Sequence, residues 1–205
     1  MALDSKGAVY IADALNNRVV VETPSGTTYK QTVLPATGLS APSGVAVDNS
    51  GNVFIADSFN NRIVELALSG TTYTQSVIVS TGLSNPTHIS IFATSLLIAA
   101  TLNNRIAEAT YNATSESYIV NTVSTGTLNS PVGVAADTYG DLFIADTKNQ
   151  RMAEDSLSLN THFGPWPVGQ KPAANTVHFG RGYCLGCLGS KLRIHRQQPA
   201  KQCPQ

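Results

Sequence analysis

Four closely related tripeptides divide most of this chain into units of similar length. Asn-Asn-Arg occurs at residues 16–18, 60–62 and 103–105, and Asn-Gln-Arg follows at residues 149–151. The intervals between them are 44, 43 and 46 residues. A repeat of this length predicts stacked supersecondary units, each of which buries its apolar face against the next. Any fold for residues 2–154 has to place these units in equivalent environments.

The second unit divides into four predicted strands joined by turns. An apolar run is followed by Asp-Asn-Ser-Gly-Asn, whose residues tolerate positive φ, and the later runs are rich in β-branched residues. The predicted strands cover residues 45–47, 53–56, 62–68 and 71–79, and a polar loop covers residues 57–61. Four antiparallel strands per unit are typical of a β-propeller blade. A solenoid of stacked β units is the structural alternative, and the tight hairpin turns favour blades.

The unit that begins at Pro42 reads PSGVAVDNSGNVFIADSFNNRIVE, and the one at Pro131 reads PVGVAADTYGDLFIADTKNQRMAE. These residues resemble the NHL repeat of bacterial NHL-repeat proteins and, more distantly, the gluconolactonase-like propellers. The resemblance implies a propeller, usually six-bladed, with the Pro-x-Gly strand innermost. The first unit lacks this opening. We therefore expect an all-β fold: a partial β-propeller of about three and a half four-stranded NHL blades, a fragment of a six-bladed ring.

The pattern stops after Glu154, which predicts a boundary between residues 1–155 and 156–205. Residues 1–155 contain seven Lys/Arg and all thirteen Asp/Glu, a net charge of −6, whereas residues 156–205 contain six Lys/Arg and no acidic residue, a net charge of +6. We interpret this basic tail as out-of-frame or fused coding, or as a disordered extension, in preference to a second domain. We accordingly expect further NHL units in the DNA, beyond Glu154 in another frame and upstream of Met1.

The tail contains residue types that bind zinc, namely His178, Cys184, Cys187, His195 and Cys203. A single Cys-x-x-Cys is weak evidence for a zinc site, and the remaining spacings match no zinc template. Its basic residues lack interleaved aromatic residues and an amphipathic period. We therefore favour a solvated tail over a metal site or a nucleic-acid site.

Within the repeats, the third unit differs from the others. Asp13, Asp57 and Asp146 recur before the Asn-Asn-Arg or Asn-Gln-Arg and are interpreted as scaffold that bonds the loop and the arginine. The third unit has Ala100 at this position, and His88 where its sister units have Gly in the innermost strand. His88 is therefore the candidate catalytic residue, as a general base, a metal ligand or a donor to a ligand. The alternative is a degenerate blade in which His88 fills space, and replacing His88 with Gly would relieve strain if the position requires positive φ.

Three functions are consistent with the sequence. The first is a scaffold that binds a protein, a carbohydrate or a small molecule on its axial face. The second, implied by the resemblance to gluconolactonase-like propellers, is a lactone hydrolase of gluconolactonase or acyl-homoserine lactonase type. It would use a divalent cation such as calcium, but its acidic metal ligands cannot be placed on this sequence. The third is a truncated fragment without independent function.

Charge and length restrict the partners. The negative charge of the body disfavours nucleic acid, because neutralising phosphates requires clustered Lys/Arg. No run of apolar residues is long enough for a transmembrane helix, and no secretory signal is present; relatives of the family are often extracytoplasmic, and the compartment is left open. An incomplete ring has exposed edges, so we expect self-association by strand pairing between the edge blades.

Overall fold

The computed structural model describes residues 1–123, 126–156, 178–179 and 183–184. The chain divides into two units, Met1–Ser158 and Leu159–Gln205. In the second unit the described residues form one antiparallel pair, β16 (His178–Phe179) with β17 (Tyr183–Cys184). The first unit consists of antiparallel β-sheets, each formed from one sequence repeat.

Blades 1 and 2 each consist of four strands that are hydrogen-bonded in chain order. The strands of blade 1 are β1 (Ala2–Leu3), β2 (Val9–Asp13), β3 (Arg18–Ser25) and β4 (Thr28–Val33). Those of blade 2 are β5 (Pro42–Val47), β6 (Val53–Asp57), β7 (Arg62–Ser69) and β8 (Thr72–Val79). The strands predicted for the second sequence repeat, which forms blade 2, are confirmed. In blade 1, which lacks the Pro-x-Gly-Val opening, two residues suffice to form the inner strand.

Blade 3 repeats this order from β9 to β12, and blade 4 comprises β13, β14 and β15. The strands of blade 3 are β9 (Pro86–Phe92), β10 (Ser95–Ala100), β11 (Arg105–Asn112) and β12 (Ser117–Val123). Those of blade 4 are β13 (Pro131–Ala136), β14 (Asp141–Asp146) and β15 (Arg151–Ser156). A 3-10 turn joins the second and third strands of every blade: Ala14–Asn16, Ser58–Asn60, Thr101–Asn103 and Thr147–Asn149.

The blades pack face to face in chain order. The inner strands contact one another in the series β1, β5, β9 and β13, and three apolar clusters fill the spaces between successive blades. The approach is close: a Cβ on Gly44 would lie 2.9 Å from Cα of His88 and 3.0 Å from the carbonyl oxygen of Thr87, so glycine is required there. The fold is thus all-β, a partial β-propeller with three four-stranded blades and a three-stranded one among the described residues. Closure into six blades stays a prediction.

None of the helical segments in the described part of the chain has the length and apolar character needed to span a membrane.

Candidate functional site

In the three regular blades, which are blades 1, 2 and 4, the predicted Asp–Arg pair holds the 3-10 turn. In blade 2 the carboxylate of Asp57 is fully buried and accepts hydrogen bonds from the backbone N–H of Ser40 at 2.6 Å, Nδ2 of Asn60 at 2.8 Å and Nε of Arg62 at 2.7 Å. Equivalent ion pairs join Asp13 to Arg18 and Asp146 to Arg151. The prediction that these residues bond the loop and the arginine is confirmed.

A second set of polar contacts joins each blade to the next. The last residue before β3, β7 and β11 is an asparagine with φ 53°. Its Oδ1 accepts a hydrogen bond from the backbone N–H of the residue that precedes the first proline of the next blade. The pairs are Asn17 with Ala41, Asn61 with Asn85, and Asn104 with Ser130, at 2.7–2.8 Å. The hydroxyl of the first turn residue also donates to the next blade's Pro carbonyl, from Ser58 to Pro86 and from Thr101 to Pro131.

Blade 3 has a different turn because Ala100 replaces the aspartate. Oδ1 of Asn103 accepts the backbone N–H of Ser84 at 2.6 Å, which is the contact that aspartate makes in blades 2 and 4. Arg105 keeps the bond to a backbone carbonyl that Arg62 and Arg151 also make, here to Gly82, and it donates in addition to the hydroxyl of Thr122. Its Nε is buried and has no hydrogen-bond partner among the residues that the structure describes. The replacement of the aspartate by Ala100 therefore leaves the Nε donor of Arg105 unsatisfied beside the turn.

His88 lies in the inner strand β9, directly opposite Ala99 of β10. Because Ala100 is next along the ladder, His88 and the loop after Ala100 are at the same end of the blade. Nδ1 of the half-buried imidazole accepts the backbone N–H of Val134 at 3.5 Å, so the side chain bridges the inner strands of blades 3 and 4. Burial lowers the pKa of His88, and the positive charge of the amino terminus lowers it further. The neutral imidazole is therefore favoured.

The condition under which His88→Gly would relieve strain, a positive φ at this position, is not met. Neither His88 nor Gly44 and Gly133, the glycines at the same position in blades 2 and 4, has positive φ. The position takes glycine in blade 2 because the neighbouring inner strand is close, and extended β-strand geometry is open to any residue.

The residues around His88 do not fit a calcium site. Calcium requires six to eight oxygen ligands, whereas the described partners of His88 are the alanine opposite and one amide N–H. In the described parts of the chain, no three His, Cys, Asp or Glu residues converge as a metal site would require. In the tail, Cys187, His195 and Cys203 lie outside the described residues. His178 and Cys184 are paired across β16 and β17, and their side chains are not described.

The middle residue of each 3-10 turn forms a feature that the sequence analysis missed. Leu15 is 97% exposed, Phe59 72% and Leu102 63%, and Lys148 is at this position in blade 4. The backbone N–H of Phe59 donates to the Ser40 carbonyl and that of Leu102 to the Ser84 carbonyl, which fixes the turn. We call the end of the blades that carries these turns the turn face. The available signal was an apolar residue recurring inside an otherwise polar loop.

A cleft of about 560 Å³ lies at the opposite end of the inner strands. It is lined by Val47, Asp48, Asn49, Ser50, Ile91 and Ala93. It contains a single carboxylate, that of Asp48, whose oxygens already accept hydrogen bonds from the N–H groups of Ser50 and Asn52 and from the Asn52 amide. The carboxylate in this lining is therefore already engaged in the turn.

Sheets of this order, packed in series around their first strands, define a β-propeller scaffold. The model of the NHL repeat family matches residues 39–66, which confirms the resemblance seen in the sequence. Among 141 matching chains of solved structures is one from "Crystal structure of Nidogen/Laminin Complex". It matches with a TM-score of 0.63 at 20% identity over 78% of this chain, and the match spans 59% of that chain. At this identity the similarity shows the fold.

A comparison with curated protein sequences found no match.

Proposed function

We propose that this NHL-repeat propeller is a scaffold that binds a protein partner on its turn face. The observation that carries the proposal is the row of exposed apolar side chains formed by Leu15, Phe59 and Leu102. They occupy equivalent positions in three successive blades, so a single partner surface can cover all three. Burying an exposed apolar side chain contributes about 25 cal/mol per Å² of apolar surface, and aromatic residues are prominent among interface hot spots.

The surroundings of this row suit a protein partner better than a nucleic acid. The turn residues on either side of these three side chains are uncharged, since Ala14, Ser58 or Thr101 precedes and an asparagine follows. Each arginine of blades 1, 2 and 4 is already paired with a buried or half-buried aspartate. The net charge of −6 over residues 1–155 opposes binding to a polyanion. The similar propeller, from a nidogen/laminin complex, comes from a protein–protein assembly, which supports the same class of partner.

The experiment is affinity capture from extracts of the source organism with three versions of the chain. These are the wild type, the triple variant Leu15→Ser/Phe59→Ser/Leu102→Ser, and the control Tyr139→Ser. Tyr139 is 80% exposed and lies in the β13–β14 hairpin, at the opposite end of the blade from the turn face. We expect a defined protein to be retained by the wild type and the control and lost with the triple variant. Equal retention by all three proteins would refute the proposal.

The other hypotheses for ligands stay predictions. For a carbohydrate or small-molecule ligand on the axial face, His88 is the one candidate contact residue among the described residues. The calcium-dependent lactone hydrolase lacks a fitting donor set among the described residues, and its test is given in the Discussion. The expectation of a truncated fragment is tested by reading the flanking DNA in all frames.

A further inference from the structure

Each blade has two apolar faces with different residues. We call the face toward the following blade the trailing face, and the face toward the preceding blade the leading face. The trailing face includes one residue of the second strand and one of the third at equivalent positions: Tyr10 and Val19, Phe54 and Ile63, Leu97 and Ile106, Phe143 and Met152. The leading face includes two residues of the second strand at equivalent positions: Val9 and Ile11, Val53 and Ile55, Leu96 and Ile98, Leu142 and Ile144.

Wherever two blades meet, these residues are buried. On the trailing faces of blades 1 to 3 they are at most 6% exposed, and on the leading faces of blades 2 to 4 at most 3%. The trailing face of blade 4 is different, since Phe143 is 39% exposed and Met152 is 68% exposed. The leading face of blade 1 is also incompletely covered, since Val9 and Ile11 are half-buried and Leu3 is 67% exposed.

The chain therefore carries both halves of the contact that it makes three times internally. Phe143 has the size of Phe54, and Met152 replaces the isoleucine of blades 2 and 3 with a flexible apolar side chain that adapts to a partner surface. Val9 and Ile11 repeat the residue types of Val53 and Ile55. A trailing face and a leading face on one molecule are complementary to each other, which is the condition for a head-to-tail contact between copies.

We propose that the trailing face of blade 4 docks on the leading face of blade 1 in a second copy of this chain. The contact would reproduce the face-to-face packing between blades, with Phe143 and Met152 against Leu3, Val9 and Ile11. It is distinct from strand pairing at sheet edges, because the side chains and not the backbone hydrogen-bonding groups meet. Repeat proteins need such faces covered or capped for solubility.

Sedimentation velocity of the full chain over a concentration series, under reducing conditions, tests the proposal. We expect the wild type to associate as concentration rises. Met152→Asp, which alters only the trailing face, and Val9→Asp, which alters only the leading face, should each remain monomeric. Tyr139→Asp, an exposed position outside both faces, is the matched control and should associate like the wild type. Circular dichroism checks folding, and Leu3→Asp replaces Val9→Asp if the latter does not fold.

The mixture of the two variants distinguishes head-to-tail docking from other geometries. Met152→Asp retains an intact leading face and Val9→Asp an intact trailing face, so the equimolar mixture should form a one-to-one heterodimer. Absence of that heterodimer would overturn the proposal, as would association of either variant like the wild type. A wild type that is monomeric throughout the concentration series would also overturn it.

Discussion

Ala100 lies directly opposite Arg105 in the β10–β11 ladder, and the Nε of that guanidinium is buried with no acceptor in the described part of the chain. In blades 2 and 4 the same nitrogen donates at 2.7 Å to an aspartate that occupies the position of Ala100. Blade 3 therefore keeps the arginine of this recurring pair and has lost the aspartate. An unsatisfied buried donor costs stability.

Restoring the carboxylate should stabilise the protein. We expect Ala100→Asp to raise the free energy of unfolding by about 1 kcal/mol, because a charge-assisted bond to Nε outweighs burial of the new carboxylate beside a guanidinium. Ala100→Asn, which supplies an acceptor without charge, is the control and should give a smaller gain. Urea unfolding measures all three proteins. A midpoint for Ala100→Asp below that of the wild type would contradict this account of Arg105.

The asparagine between blades contributes both its backbone conformation and its side chain. Asn61 has φ 53° and bonds the N–H of Asn85 at 2.7 Å. Asn61→Gly keeps the left-handed conformation and loses the bond, so we expect a loss of about 1 kcal/mol. Asn61→Ala loses the bond and also strains the backbone, for a loss of about 2 kcal/mol. Equal stability of the two variants in urea would show that the conformation at residue 61 is not a constraint.

Glu65 should make stability depend on pH. Burial raises the pKa of Glu65, and the negative charge of Asp48 raises it further. The folded state therefore binds the proton more tightly than the unfolded state, and ionised Glu65 destabilises the fold above the raised pKa. This loss of stability disappears when the pH falls below the pKa of Glu65 in the unfolded state. We expect Glu65→Gln to be more stable than the wild type at neutral pH and to lose that advantage in acid.

The equivalent residue of blade 3 provides the control for this pH effect. Glu108 occupies the same position as Glu65, and Phe92 stands where blade 2 has Asp48. Glu108→Gln should therefore change stability less at neutral pH, as measured by urea unfolding at several pH values. A larger effect at Glu108 than at Glu65 would contradict the role given to Asp48.

The lactone hydrolase hypothesis makes a sharp prediction at His88. Turnover of sugar or acyl-homoserine lactones should require a divalent cation, be abolished by a chelator and be lost in His88→Gly. If neutral imidazole acts as the base, the rate should rise with pH through a midpoint below the usual histidine value, because burial lowers the pKa of His88. Equal rates in wild type and His88→Gly, or no chelator-sensitive turnover, would exclude His88 from such chemistry.

His88→Gly also tests the structural role of the imidazole. The substitution removes the contact with the N–H of Val134 and places glycine in a strand whose backbone needs no positive φ. We therefore expect a modest loss of thermal stability with the fold retained, which circular dichroism can establish before any assay is interpreted.

Much of the fold could be predicted from the sequence because the repeat itself is specific. The second strand of the second unit was predicted over residues 53–56 and is observed as Val53–Asp57. The third was predicted over residues 62–68 and is observed as Arg62–Ser69. Alternating apolar residues and Asx/Gly turns specify such hairpins locally, so no long-range information was needed.

The site was harder to predict, because exposure depends on which elements are neighbours. Phe54 and Phe143 occupy the same position in the repeat, yet one is 5% and the other 39% exposed. The sequence pattern of a blade is the same whether or not another blade follows it. Likewise, the polar neighbours of Phe59 correctly predict that it lies in a loop. That its ring is exposed is known only once the turn is fixed in the structure. His88 was noticed as an exception, and its contact with Val134 depends on inter-blade packing.

The bonds from one blade to the next have a consequence for how such genes grow. The Asn61 side chain binds the N–H of Asn85, and the Ser58 hydroxyl binds the carbonyl of Pro86. In each case the partner in the next blade is a backbone group, which every residue carries with the single exception of the missing proline N–H. A copied unit inserted in frame therefore brings its own asparagine acceptor and hydroxyl donor, and it finds a backbone N–H and a backbone carbonyl in the unit that follows. Tandem duplication can thus lengthen the array in one mutational step, while side chains in the receiving segment, such as Asn85, Ala41 and Ser130, are free to drift apart.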